Sequence, residues 1–427
     1  MPDHSDGRRD AMPTYLGRAR SRLLLTLLLI TSAAHAEPDA YRLIFDLELK
    51  SGKSRAKGAI ELAQTEALLL EARFRAPTDR YKAFHGDGKI ERDGEYVTWT
   101  PPADGGRIEY TVELESARSS GKLDGTVQPD WALFRADDAF PPARTRMRPG
   151  SGSHARLRVT LPDGWSLITP FAAGPAGDFM IENPERTFDR PTGWLIAGKL
   201  GRRKDTIEGM EVSVAAPVGA GTERVAMLAL LRWTLPEIAR ELGPLPPRIS
   251  VVSAGEPMWR GGLSASNSIY VHADRPLLSE NATSTLLHEV LHVLLPMRAV
   301  AAQDWIDEGL AEYLVLKILR DSGTISVARF AAAIAGFEKR SKTVGNRLKT
   351  THATGAVRAR AVVIFARLDA ELAELSDNQL DLYDLLRATR EQGAGMLDIE
   401  QLRAVAIALT GATKIDALPL YLAPAKL

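Results

Sequence analysis

Leu287-His288-Glu289-Val290-Leu291-His292 and, further on, Trp305-Ile306-Asp307-Glu308-Gly309-Leu310-Ala311-Glu312-Tyr313 are the stretches whose reading decides the fold. Two histidines four apart on a helix lie one turn above each other and point the same way. Leu286, Leu287, Val290, Leu291, Val293, Leu294 and Leu295 surround them, so the helix is apolar nearly all round and is expected to be buried. A polar group buried there without a partner costs about 2–7 kcal/mol. One zinc ion, held by imidazole nitrogens at about 2.0–2.1 Å, would supply the partner. Glu289 stands beside that position, where a carboxylate can take a proton from water. Glu308 would complete a His-His-Glu set and leave a fourth position open, as in a catalytic zinc site. Asp307 and Glu312 lie close by, and spacing alone does not choose among the three acids. Asp307 could complete an N-terminal cap with Asp304. Glu312, one turn beyond Glu308, is better placed to accept a hydrogen bond from a histidine N–H.

Around these stretches the pattern predicts a strand at Arg248–Ser253 and another at Ser268–His272, with a helix from Glu223 to Leu242 interrupted or kinked at Pro236. The motif helix is expected from about Ala282 to Leu295, capped by Asn281, and the next from 305 to 320, capped by Asp304. Residues 325–427 read as mostly helical. His272, at the end of a strand-like run, is expected in a loop and is a candidate substrate contact. Upstream, from about residue 39 to 216, short alternating runs are broken by Gly, Pro and Asp. Tyr41-Arg42-Leu43-Ile44-Phe45-Asp46-Leu47 and Arg107-Ile108-Glu109-Tyr110-Thr111-Val112-Glu113-Leu114 are examples. This period of two predicts an antiparallel β-sandwich. The fold class is therefore α+β. The expected divisions are a leader at 1–36, a β-rich domain at 37–216, a zinc-binding core at 217–324 and a helical part at 325–427.

The leader is read from Arg18, Arg20 and Arg22 ahead of Leu23-Leu24-Leu25-Thr26-Leu27-Leu28-Leu29-Ile30 and Ala34-His35-Ala36. A basic segment, a short apolar run and a small-residue cleavage site make a signal peptide, with the mature chain starting near Glu37. The apolar run is short of the roughly 20 residues a spanning helix needs, so no stable membrane anchor is expected after cleavage. The 427 residues contain no cysteine, which rules out disulfides, cysteine ligands and a thiol nucleophile. Export to a periplasm, or secretion beyond it, fits both observations. Lys and Arg total 54, as do Asp and Glu, so no excess charge points to nucleic acid or an anionic membrane as partner.

The segment from Trp305 to Tyr313 resembles the third-ligand segment of the gluzincin peptidases, in particular the aminopeptidase N and glycyl aminopeptidase-like groups. The resemblance implies that the glutamate before the glycine, Glu308, is the third zinc ligand. It also implies a β-rich N-terminal domain, a thermolysin-like mixed α/β catalytic domain and a helical tail. Arg260-Gly261-Gly262-Leu263 resembles the glycine-rich substrate-binding segment of those groups. Three features depart from the pattern. The 15 residues between His292 and Glu308 make a shorter gap, so the connection must be compact. Ser264-Ala265 stands where the relatives place a glutamate that anchors a free amino terminus. No tyrosine stands where the relatives carry one to bind the tetrahedral intermediate. Matching Thr351-His352-Ala353-Thr354-Gly355 puts His352 there, whereas counting back from Leu368-Asp369 puts Arg358 there, and either could donate to an oxyanion.

The expected function is hydrolysis of peptide bonds in a peptide or protein substrate, with one zinc per chain on His288, His292 and Glu308, and Glu289 as general base. Strict aminopeptidase action loses its basis with the missing glutamate. The rival readings are a non-catalytic zinc-containing binding or assembly factor of the cell envelope, and an adhesion module that works through the β domain. A merely structural site needs ligands but no general base, so Glu289 argues against both. Substrate preference and oligomeric state are not legible.

Overall fold

The first strand shows how alternation becomes a sheet. In Ala40–Lys50, Tyr41, Leu43, Phe45, Leu47 and Leu49 are all buried while their neighbours face outward. The strand pairs antiparallel with Lys53–Ala63 and parallel with Gly152–Thr160. It thus lies inside a seven-stranded sheet that also includes Gly105–Glu113 and Tyr81–Gly86. The parallel pair departs from the purely antiparallel sandwich that alternation suggested, because a period of two fixes a face but not a neighbour's direction. A four-stranded sheet (Ala143–Met147, Leu69–Arg75, Tyr96–Thr100, Lys89–Asp93) and a five-stranded one containing Trp131–Arg135 and Trp194–Gly198 complete this region. Phe45, Phe74, Phe140 and Phe188 fill its core, with edge-to-face ring contacts between 5.3 and 5.9 Å. This computed structural model describes residues 40–181, 188–295, 297–393 and 395–425; the expected leader at 1–36 lies outside them.

A second five-stranded sheet carries the site, in the order Leu200–Ile207, Met210–Pro217, Arg248–Ala254, Ser268–His272 and Gly262–Ala265. Its central pairs are parallel and its outer pairs antiparallel. Val212, Val214, Ile249, Val251, Ile269 and Val271 face the helices Arg224–Leu242 and Thr285–Leu294. On the opposite face Ala215, Val252, Ala254 and Tyr270 pack with Leu133, Trp194 and Ile196 of the β-rich region. Both faces of the three central strands are covered, which is why Met210–Pro217, Arg248–Ala254 and Ser268–His272 are buried almost throughout.

The helix Trp305–Asp321 follows, and then Val327–Ser341, Gly355–Leu375, Leu382–Glu391 and Ile399–Thr410. Gly309 sets the closest approach in this bundle. A Cβ there would lie 2.3 Å from Ala361 Cβ, so only glycine lets the helix Gly355–Leu375 come this near to Glu308. Among the described residues, no helix is long and apolar enough to cross a membrane.

Candidate metal centre

The helix that carries both histidines, Thr285–Leu294, starts later than the sequence suggested. Ser284, not Asn281, is its cap, accepting a hydrogen bond from Leu287 N at 3.3 Å. Ala282 adopts φ +60°, a left-handed conformation that no helix can include, so the expected start at 282 is excluded. At the other end the Arg298 guanidinium donates to the carbonyls of His292, Leu295 and Met297, a cation at the negative end of the helix. The Asp307 carboxylate accepts from Ala299 N at 2.9 Å. Asp307 therefore closes the connection between the two helices, and it is not one of the three residues that could hold a metal together. Asp304 stands at the cap position of the second helix but makes no cap, because its Oδ2 accepts from Ala353 N at 2.6 Å. These ties explain how a short connection brings the helices together.

His288 Nε2 and His292 Nε2 lie 3.1 Å apart, with the rings nearly perpendicular. Each is 3.4 Å from one oxygen of Glu308, His288 from Oε2 and His292 from Oε1. A tetrahedral ion with arms of about 2.0–2.1 Å has donor–donor edges of about 3.3–3.4 Å. The observed separations match those edges within a few tenths of an ångström, and two imidazoles with one carboxylate are a zinc-type donor set. The three residues can hold a metal ion.

Behind them, Glu312 Oε2 lies 3.0 Å from His288 Nδ1. This is the place for an acceptor that fixes the ring so that Nε2 presents its lone pair to a cation. Glu289 is only 8% exposed and makes no hydrogen bond or ion pair with another described residue. Its carboxylate faces the edge strand at Gly262, where a Cβ would meet Glu289 Cγ at 2.9 Å and Thr285 Cγ2 at 2.5 Å. Gly262 thereby leaves room for the acid beside the histidines. Arg358, one-third exposed, ion-pairs with Glu308 Oε2.

Electrostatics point the same way. With neutral imidazoles, the carboxylates of Glu289, Glu308 and Glu312 face one guanidinium, a shortfall of two positive charges that one divalent cation fills. Without a cation, burial pulls the His288 imidazole down, but hydrogen bonds to Glu308 and Glu312 outweigh it and raise it to about 9. Burial pushes Glu308 up, yet its contacts with His288 and His292 hold it well below the usual carboxylate range. Burial likewise raises Glu312, and the hydrogen bond with His288 overrides it.

The remaining candidates separate clearly. Arg358 reaches the site, as counting back from Asp369 suggested. His352 is exposed in the loop before the helix Gly355–Leu375, and no hydrogen bond or ion pair joins its ring to another described residue. His272, expected in a loop, is instead the last residue of its strand and fully buried. Its Nδ1 accepts from Asp274 N at 3.1 Å, and burial pulls its pKa down, so it is an interior residue with no exposed surface to offer a substrate. Arg298 was missed in sequence. Its signal was a basic residue just past the end of the motif helix.

No protein-family model and no curated protein matches the sequence. Among solved structures, the chain is similar to an aminopeptidase N family protein from Idiomarina loihiensis. The TM-score is 0.68 at 14% identity, covering 88% of this chain and 74% of that one. The chain has an aminopeptidase N-like fold. At this identity the likeness is one of architecture, and the chemistry rests on the residues themselves.

Proposed function

We propose that the chain is a zinc-dependent peptidase. The observation that carries this reading is the approach of His288, His292 and Glu308 at separations a metal's ligands would have, with the Glu289 carboxylate beside them and without a partner among the described residues. The fold's likeness to an aminopeptidase N family protein supports peptides as the substrate class.

The chemistry that zinc supplies when bound is Lewis acidity, which makes water a nucleophile near neutral pH. His288, His292 and Glu308 would hold the ion, with Glu312 beside His288 to orient it. Glu289 takes the proton from the attacking water and returns it to the leaving amine. The Arg358 guanidinium donates to the carbonyl oxygen as charge develops there, in the role the sequence left open between His352 and Arg358. The strand Gly262–Ala265 is the edge of its sheet, so its outer side offers backbone groups to an extended peptide. Ser264 and Ala265 provide no carboxylate for a substrate's amino terminus, which favours internal cleavage over strict aminopeptidase action. The enzyme works outside the cytoplasm in this reading, after removal of residues 1–36.

Glu289→Gln tests the reading directly. The variant is expected to retain its zinc, measured by atomic emission on purified protein, while cleavage of a mixed peptide library falls by about 10²–10⁴. Unchanged cleavage would sink the mechanism. Wild-type protein that holds zinc but cuts nothing would favour the non-catalytic factor.

A further inference from the structure

We propose a second binding site, for phosphate-type oxyanions, on the outer face of the four-stranded sheet. Strand register places Arg73 directly opposite Arg144, and Arg75 directly opposite Tyr96. All four side chains point to solvent, with Phe74 and Val97 between them turned into the core. Together with Pro142 and Ala143 they line a groove of about 370 Å³.

Two of the three arginines in this groove, Arg73 and Arg144, have no carboxylate partner among the described residues. Neighbouring arginines on the same face are paired: Arg75 with Glu95 at 3.7 Å, Arg146 with Glu71 at 3.6 Å and Arg148 with Glu66 at 2.5 Å. Arg73 and Arg144 make no ion pair among the described residues. The Arg73 guanidinium rests over the Tyr96 ring, 4.3 Å from its centre, and that ring is 40% exposed. Like charges directly opposite each other on adjacent strands repel, so this pair works against the sheet unless an anion lies between them.

The larger groove on the seven-stranded sheet, about 510 Å³, shows the contrast. There Arg107 is bonded to Asp46 and Glu109, and Arg158 lies 3.3 Å from Asp46, so its cations are already satisfied. The Arg73–Arg144 groove has the cations without the anion. Two guanidinium forks a strand apart suit a tetrahedral oxyanion, which accepts paired hydrogen bonds from each. The shared chemistry is a phosphate group, either free or carried on a lipid headgroup.

The test titrates the full chain with inorganic phosphate by calorimetry at constant ionic strength. In parallel, the chain is sedimented with phosphatidylcholine vesicles with and without phosphatidic acid. Wild type is compared with Arg73→Gln/Arg144→Gln and with a charge-matched control, Arg42→Gln/Arg55→Gln, both pairs being exposed. Saturable binding of phosphate or of phosphatidic acid vesicles, weakened about tenfold or more in the groove variant and unchanged in the control, supports the site. Binding to vesicles that free phosphate displaces identifies the lipid headgroup as source; binding of phosphate alone identifies the free ion. A folding readout stands beside these. In phosphate-free, low-salt buffer, Arg144→Gln raises Tm, and added phosphate raises the Tm of wild type but not of the variant. Absence of saturable binding in both arms, or equal losses in the groove and control variants, overturns the proposal.

Discussion

The helix Trp305–Asp321 carries two buried polar clusters, and they differ in how their charges are balanced. Near its start, Glu308 and Glu312 meet His288, His292 and Arg358, and three side chains of ligand type come together with charge left over. Near its end, Lys317 lies 3.2 Å from Asp369 and 3.1 Å from Asp381. There Tyr313 donates to Asp369 at 2.5 Å, and Asp381 caps the helix Leu382–Glu391 by accepting from its first amides. The second cluster is settled within the chain and fastens three helices. The first is settled only when something enters. A buried polar cluster points to a ligand when its donors converge without cancelling, not merely because it is polar.

The sharpest way to break this comparison is to remove the metal ion proposed for the first cluster. Chelation, or His292→Ala, is expected to bring cleavage to background while the unfolding of the Lys317 cluster's helices, followed by hydrogen exchange, keeps its protection. A fully zinc-loaded His292→Ala protein would refute the ligand assignment. The reciprocal change is Lys317→Met, which leaves Asp369 and Asp381 without their cation. Stability should fall by about 3–5 kcal/mol in denaturant unfolding, with zinc stoichiometry unchanged in the folded protein. Arg358→Ala removes one oxyanion donor and is expected to lower kcat by about 10²–10³ with zinc retained. Its KM should change little, the pattern of a contact made mainly in the transition state. The smallest effect belongs to Gly309→Ala, which drives a methyl into Ala361 and should cost about 1–3 kcal/mol. If that variant keeps both its stability and its kcat, the close helix contact does not position Arg358.

Much of the site was legible because local periodicity sets it. The four-residue spacing of His288 and His292 brings their Nε2 atoms together, and Glu312 lies against His288 as helical geometry suggested. The choice among Asp307, Glu308 and Glu312 was not legible from spacing. It is made by Ala299 N, which engages Asp307, and by His288 Nδ1, which engages Glu312. The choice between His352 and Arg358 depended on how the loop before the helix Gly355–Leu375 is anchored. That anchor is the hydrogen bond from Ala353 N to Asp304, a tertiary tie with no local signature. Counting from Asp369 pointed to Arg358; Asp369 is itself fastened to Tyr313 and Lys317, and Arg358, about three turns earlier, is ion-paired with Glu308. In the β-rich region alternation showed which residues are inside, whereas the parallel pairing of Ala40–Lys50 with Gly152–Thr160 lay beyond it.

That parallel pair also governs how the molecule can be assembled. One edge of Ala40–Lys50 finds its neighbour across a tight turn, but the other stays open until roughly a hundred more residues have arrived, a long-range closure of the slow kind. Throughout that interval a strand rich in Tyr, Leu and Phe presents bare backbone groups, the template on which chains stick to one another. The yield of this protein should therefore depend less on its helical half than on how long its first strand is kept apart from its copies.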